Sequence, residues 1–404
     1  MSHAMTSRQR MLAALRRQPV DHVPCAMMSF SAMRGRCQDA YEVSLREREM
    51  GMDSMLFIPS SWRNERPNHP DLRGLPVRMP AEVRVDLWQE QPAGERFPVL
   101  HKVYHTPVGD LRVAVRRTDD WPHGSAVPLV EDYQIPRAIK PLIAGPEDLA
   151  PLRFLLRPPD AEAIAGYRRE VRRAHAFRDV HGVLLAGGWG VAADMVGWLC
   201  GLERMALLTM DQPAFLQELL ALIAAWNEAR MRVVLEGGVD LFIRRGWYET
   251  ADFWSPALHR QFLLPQLRRE VEIAHEHGAL FGYVMTTGAL PMLDNIRDAG
   301  VDVLIGVDPL QRQETLETMR AAMSGGALGG AVSGAICLWG GVNGAITVEE
   351  GSEEEVRRAV GHALAVMEGA PGFILSPVDN ITAVSPRTWR NMAVFVDAWR
   401  EHWT

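Results

Sequence analysis

The chain has 404 residues, 47% hydrophobic and 23% charged, which is the balance of a globular protein with a large core. A formal charge of -7 leaves no basic footprint, so nucleic acid and anionic membrane surfaces are excluded as expected partners. The start lacks an apolar signal core, and no later stretch approaches ~18 uninterrupted apolar residues, so a cytoplasmic protein with no membrane contact is expected. Cys25, Cys37, Cys200 and Cys337 form no C-x-x-C pair and read as free thiols.

In chain order, "DHVPCAMMSF" (21–30) and "MDSMLFIPS" (52–60) read as the first two strands, flanking a helical segment from Tyr41 to Met50. Residues 61–140 differ in texture, being rich in Pro and Arg, with alternating runs at 83–90, 97–107 and 109–118. These runs predict an antiparallel β-meander inserted between strands two and three, either roofing the catalytic face or packing elsewhere. The third strand is "GVLLAGGWGV" (182–191). In the long helix that follows, Asp211 is the expected N-cap, Pro213 lies in the first turn, and Gly237-Gly238 ends it. "VDLFIRRGWYET" (239–250) is the fourth strand with its exit loop, and "SPALHRQFLLPQLRREVEIAHEHG" the next helix. "LFGYVMTTG", "VDVLIGVDP", "AICLWGGVN" and "GFILSPVDN" supply strands five to eight, each followed by a helical pattern. Eight apolar strands joined by helices predict a (β/α)8 TIM barrel, one domain over 1–404 with the 61–140 meander inside it. An open doubly wound sheet would want a G-x-G-x-x-G loop after strand one, and "SFSAMRGRC" is not one.

In such a barrel the C-terminal strand ends carry the chemistry. "RRGWYETADFW" presents Arg244, Arg245, Trp247, Tyr248, Glu249 and Asp252 together after strand four. Adjacent arginines alternate faces, so at most one of Arg244 and Arg245 points into a pocket. Tyr248 and Glu249 are acid–base candidates and Arg244 and Trp247 substrate-binding ones, the other reading being a salt-bridged loop, with Asp252 or Ser255 the cap of the next helix. Tyr283, Thr286 and Thr287 offer hydroxyls after strand five, although a tyrosine packed against the barrel floor is an equal reading for Tyr283. Asp308 follows strand six, Trp339 and Asn343 mark strand seven, and Asp379 and Asn380 end strand eight. Of these, Asp308 joins the catalytic candidates and the other four the substrate-binding ones. Glu249, Asp308 and Asp379 could together hold a hard divalent ion, but no metal ligand is assigned. His275 and His277 are explained by the helix end they occupy, and His101 and His105 on the meander either lie on its surface or reach the pocket from above. Trp88, Trp121, Trp189, Trp247 and Trp339 suggest either a pocket wall or plain core packing.

The opening "MTSRQRMLAALRRQPVDHVPCAM" and the stretches "IAGPEDLAPLRFLL", "GLERMALLTMDQPAFLQELL", "GVDLFI", "HGALFGYVMTTG", "LDNIRDAGVDVLIGVDP" and "GFILSPVDNI" occur in a telling order. They resemble the uroporphyrinogen decarboxylase superfamily, which includes that decarboxylase and the cobalamin-linked methyltransferases. The decarboxylase's arginine motif implies a carboxylate-gripping role for Arg34 and Arg36 in "SAMRGRCQDA", but its catalytic aspartate and late histidine have no counterpart. The methyltransferases' zinc-binding His-x-Cys falls on Tyr283 and Met285, and the last strand ends in Val378 and Asp379. None of these supplies a thiolate, so the zinc–thiol step is expected to be absent. What the resemblance leaves is demethylation of a small O- or N-methyl substrate, with cobalamin carried by a partner corrinoid protein. The alternatives are a cofactor-free decarboxylase gripping carboxylates with Arg34 or Arg36 and Arg244, and a barrel that only binds a ligand. A homodimer remains among the readings.

Overall fold

The structure is a computed structural model that describes residues 4–59, 70–72, 76–131, 134–188, 192–310, 315–323, 335–370 and 372–403. Its strands are β1 (Met55–Phe57), β2 (Arg84–Glu90), β3 (Val99–Thr106), β4 (Gly109–Arg116), β5 (Ala138–Lys140), β6 (Leu184–Gly187), β7 (Leu241–Arg245), β8 (Leu280–Val284), β9 (Val303–Val307), β10 (Cys337–Asn343) and β11 (Phe373–Val378). Seven of them form a curled parallel sheet in the order β1-β6-β7-β8-β9-β10-β11, a TIM-barrel-like arrangement. The other four form a separate antiparallel sheet, β2-β3-β4-β5.

The first expected strand is reduced to single parallel bridges, Cys25 to Leu375, Ala26 to Asp53 and Ser29 to Asn380. Pro24 lacks an N–H and cannot extend a ladder, though its carbonyl accepts from Leu375 N at 2.9 Å. These bridges nonetheless connect the two edges of the parallel sheet. The 182–191 strand ends at Gly187, and residues 189–191, including Trp189, lie outside the described residues. Asp211 closes the helix Leu202–Asp211 rather than capping the next one. Pro213 occupies the first turn of Pro213–Glu236, which leaves Gln212 at the cap. The helix expected over 255–278 breaks at Leu263 into Pro256–Phe262 and Leu264–Glu276, because Pro265 cannot donate to the preceding turn. The three meander strands form as expected, joined by β5, whose three residues are too few to show an alternation.

Side chains alternate across each parallel strand. Leu184, Ala186, Leu241, Ile243, Val284, Val303, Ile305, Trp339 and Ile374 fill the inner face. Leu185, Phe242, Phe281 and Leu375 face the helices. The helix Ser7–Leu15 plugs the lower opening with Met11, Ala14 and Leu15. Arg8 secures it to Asp240 at 2.6 and 2.9 Å, and Arg10 reaches Asp21 at 2.6 Å and Asp53 at 2.7 Å.

Three copies of one device organise this lower rim. Gly51-Met52-Asp53, Gly238-Val239-Asp240 and Gly300-Val301-Asp302 each place glycine at positive φ (+85°, +73° and +82°), where a Cβ would strain the chain. Each aspartate then grips one residue of the neighbouring strand twice. Asp53 N donates to Cys25 O (2.7 Å) while its carboxylate accepts from Cys25 N (3.1 Å). Asp240 does the same with Leu185 (2.8 and 3.0 Å), and Asp302 with Phe281 (3.0 and 2.7 Å). Asp240→Ala leaves the buried Leu185 N–H without its acceptor and releases Arg8. It should lower stability by about 2–3 kcal/mol in a urea titration.

Glu47, on the helix Ala40–Glu49, is buried beside Ser54, whose hydroxyl it accepts at 2.6 Å. Burial pushes its carboxyl up to about 8, so the folded chain keeps a proton that the unfolded chain releases above its ordinary value of 4.5. That contribution is present below pH 4.5 and is lost as pH rises towards 8. Glu47→Gln should therefore leave the melting temperature nearly unchanged at pH 4.5. By pH 8 it should favour the variant by on the order of 1–4 kcal/mol.

Candidate active site

The paired arginines after β7 divide between two faces. Ile243 is on the inner face and Phe242 on the outer, so Arg244 projects outward and Arg245, by alternation, inward. Arg244 is buried between sheet and helices, donating to Glu249 at 2.7 and 2.9 Å and to Glu270 at 3.0 Å. Glu270 also accepts from Asn227 at 2.5 Å and Gln266 at 2.9 Å, and Arg230 donates to Asn227 at 2.6 Å. Glu249 further accepts from Ala193 N at 2.9 Å, at the start of the helix Ala193–Cys200, and from the Tyr283 hydroxyl. Burial would lower the Arg244 guanidinium, but the two carboxylates outweigh it and hold the group above its ordinary value. Burial and the Glu249 charge hold the Tyr283 phenol well above its own. A Cβ at Gly246 would lie 2.6 Å from the Tyr283 ring, so only glycine fits there.

This arrangement revises three expectations. Glu249 and Tyr283 face the helix layer and hold it to the sheet, rather than standing in the mouth as acid–base groups. Arg244 has both terminal nitrogens occupied by carboxylates. The fixed loop instead depends on Asp194, which accepts from Trp247 N (3.0 Å) and Tyr248 N (2.8 Å). Nothing in the sequence marked Asp194, because it lies inside a helix on a different strand's loop. His259, also unmarked, is buried close by, and burial lowers its imidazole to about 4, so it packs neutral.

The mouth of the parallel sheet holds other groups. A bulge at Gly306 (φ +95°) puts Val307 among the outer contacts and leaves Asp308 at the rim. Asp308 accepts from Leu310 N at 3.0 Å and Asn343 Nδ2 at 2.8 Å, tying the ends of β9 and β10 together. Asn343 also caps the turn 344–349 by accepting from Ile346 N at 2.7 Å. Asp379 follows β11 at φ +68°, one of two described non-glycine residues in the left-handed region. Its carboxyl keeps solvent access, yet crowding by protein and the charges of Asp308 and Glu349 raise it above its ordinary value, against a bond from Asn380 N–H. The Asn380 side chain bonds Ser31 N and Oγ at 3.0 and 2.8 Å, so it anchors a loop.

The remaining candidates disperse. Arg34 and Arg36 are exposed, and the Arg36 guanidinium lies 3.5 Å from the Trp389 ring centroid. Trp339 is inner core, donating to Ala26 O at 2.9 Å, while Trp247 is half-buried above that core. Asp252 accepts from Thr287 at 2.6 Å, and Ser255 caps the following helix. His101 stacks on the exposed Trp88 at 5.0 Å, and His105 bridges Asp86 and Asp110 at 3.0 and 2.9 Å on the outer side of the antiparallel sheet. Glu249, Asp308 and Asp379 do not assemble, because Glu249 faces away. Among the described residues no three His, Cys, Asp or Glu side chains converge as a metal site. Tyr283 and Met285 are buried on the helix side and do not fit a zinc–thiolate centre. A cleft of about 240 Å³ opens beside Tyr248, between Thr118, Asp120, Trp121, Gln134, Ile135 and Arg137 on one side and Leu202 on the other. No helix among the described residues is long and apolar enough to cross a membrane.

The fold and rim define a TIM-barrel-like α/β protein with a polar mouth at the C-terminal strand ends. Residues 121–402 match the family model for uroporphyrinogen decarboxylase (URO-D), and the chain belongs to that family. A methyltransferase from Methanosarcina mazei superposes with a TM-score of 0.58 at 16% identity, covering 99% of this chain and 100% of that one. D-psicose 3-epimerase from Clostridium cellulolyticum H10 reaches a TM-score of 0.37 at 13% identity, over 58% of this chain and 84% of that one. The 3-keto-D-glucoside 4-epimerase YcjR from E. coli reaches 0.38 at 11% identity, over 58% and 85%. No curated protein matches the sequence.

If the Arg244 network is structural, Glu249→Gln should destabilise the protein by about 3–5 kcal/mol, since it strips one counter-charge from a buried guanidinium. Tyr283→Phe removes one hydrogen bond and should lower stability by about 1–2 kcal/mol. Urea midpoints of the two variants check both values.

Proposed function

We propose that the chain is a methyltransferase that demethylates a small O- or N-methyl compound, passing the methyl group to a corrinoid carried by a separate protein. The observation that carries the choice over decarboxylation is the state of Arg244. The cation best placed by sequence to grip a substrate carboxylate is already neutralised by Glu249 and Glu270. The end-to-end likeness to a methyltransferase points the same way.

In this reading the fold is a closed (β/α)8 barrel, one domain, with Pro24–Ala26 as its remaining strand and the antiparallel sheet as an insertion. Support for closure comes from Asp53, which grips Cys25 by the same two bonds that Asp240 and Asp302 use on β6 and β8. A cytoplasmic location and a homodimer belong to the same reading.

Loss of a methyl group leaves the bonding pair on the substrate's oxygen or nitrogen. An ether oxygen then needs a proton, whereas a quaternary nitrogen departs as a neutral amine. Asp379, raised by its surroundings and open to solvent, is the proton donor this chain offers at the mouth. Asp308 and Asn343 orient the substrate, and Tyr248 contributes a second hydroxyl at the rim. The corrinoid supplies the methyl-accepting centre when its carrier protein docks.

The test is incubation of the protein with reduced cobalamin and a panel of methyl ethers and methylamines, following corrinoid methylation by mass spectrometry. Carbon dioxide release from carboxylated compounds is measured in parallel. Protein-dependent methylation is expected. Carbon dioxide release without methylation would establish the decarboxylase instead, and neither product would overturn the proposal.

A further inference from the structure

We infer that the cleft between the 118–137 segment and the rim of the parallel sheet binds a small, uncharged, planar ligand that carries hydrogen-bonding groups. The inference rests on the proposed reaction only in naming its substrate class. The site itself follows from the cleft.

Its two sides come from different parts of the fold. Trp121 and Ile135 belong to the connection between β4 and β5, Leu202 starts the helix Leu202–Asp211 beyond β6, and Tyr248 lies on the loop after β7. Trp121 Nε1 is committed to Ala126 O at 3.3 Å and one face of the indole is stacked on Trp198 at 6.2 Å, so what it gives the cleft is aromatic surface rather than a donor. Tyr248 is held on two sides, by Asp194 at its backbone N–H and by the Phe253 ring at 5.4 Å. Aromatic walls on facing sides select a flat ligand, since rings prefer offset or edge contacts with other rings.

Charge narrows the class further. Asp120 and Arg137 line the cleft as a two-point ion pair with bonds of 3.1 and 2.9 Å. They neutralise one another at the solvent-exposed edge, so the cleft presents no net charge to a ligand. Thr118 and Gln134 add uncharged polar groups. The size sets the last limit. The cleft is small, about 240 Å³, just under the range of drug-sized pockets, and is open to solvent. It suits one ring with its substituents.

The segment that forms one wall is also what the insertion contributes to the catalytic face. A ligand in the cleft would touch Tyr248, three residues beyond the last residue of β7. In this way the insertion sets which ligand reaches the rim.

The experiment is fluorine NMR of 4-fluorobenzamide and 4-fluorophenol titrated with the full chain, with 4-fluorobenzoate as the charged counterpart. Saturable broadening of at least one neutral probe is expected, with 4-fluorobenzoate binding at least ~10-fold more weakly, since burying an uncompensated charge is unfavourable. Leu202→Trp and Ile135→Trp each fill the cleft from one wall. Either variant that keeps the wild-type melting transition should lose the broadening. Absence of broadening by both neutral probes, equal binding of the benzoate, or full binding in both filled variants would overturn the inference. The readout does not use methyl transfer. Methylation activity without probe binding would sink the site alone, and probe binding without methylation would sink the reaction and leave the site.

Discussion

Everything above the lower rim depends on the double grip of an aspartate on the residue beside it. Parallel strands need a fixed register, because a one-residue slip sends every inner side chain to the outer face. Asp53, Asp240 and Asp302 each fix it with one backbone and one carboxylate bond to the same neighbour, two residues after a left-handed glycine that follows the preceding helix. Their remaining charge is met by Arg10, Arg8 and His275 respectively. The first helix is thereby pinned under the inner core. With the strand starts locked, the strand ends are free to carry loops of unequal length.

Above that rim the chain separates stability from chemistry by side-chain parity. The outward positions of β7 and β8 hold a guanidinium and a phenol, which join the carboxylates of Glu249 and Glu270 in one buried network. Such a network is specific but unforgiving, because removal of one partner strands a buried charge. It fixes the loop after β7 to the helix Ala193–Cys200 through Glu249, and Asp194 returns the contact to Trp247 and Tyr248. The rim carries polar groups at the ends of β9 to β11, Asp308, Asn343 and Asp379, and the proposed reaction uses these.

The sequence announced the repeating strand and helix pattern because apolar runs and glycine stops are local signals. The meander strands were equally legible from their alternation. Three kinds of information were not local. The first strand is too short and proline-bounded to form a ladder, so only its partners reveal it. The orientation of Arg244 and Arg245 depends on the phase of β7, which alternation leaves ambiguous until a neighbour such as Ile243 is seen in the core. Glu249 and Tyr283 looked reactive by residue type and strand-end position, yet they bond to each other and Glu249 closes on Arg244 and Ala193, which lie on other elements. Asp379 was visible as a strand-end acid, but its left-handed backbone and its neighbours Asp308 and Glu349 were not.

The central claim is that chemistry belongs to the inner rim and not to the buried outer network. The most direct measurement compares kcat/KM for methyl transfer in Asp379→Asn and Tyr283→Phe. Asparagine tolerates the left-handed backbone, so the first variant changes the proton donor with little strain. The account predicts a fall of ~100-fold or more for Asp379→Asn with an unchanged melting temperature, the size expected for loss of a general acid. Tyr283→Phe should stay within a few-fold of the wild type while melting lower. Full activity in Asp379→Asn together with a collapse in Tyr283→Phe would contradict the account and return the chemistry to the network around Arg244.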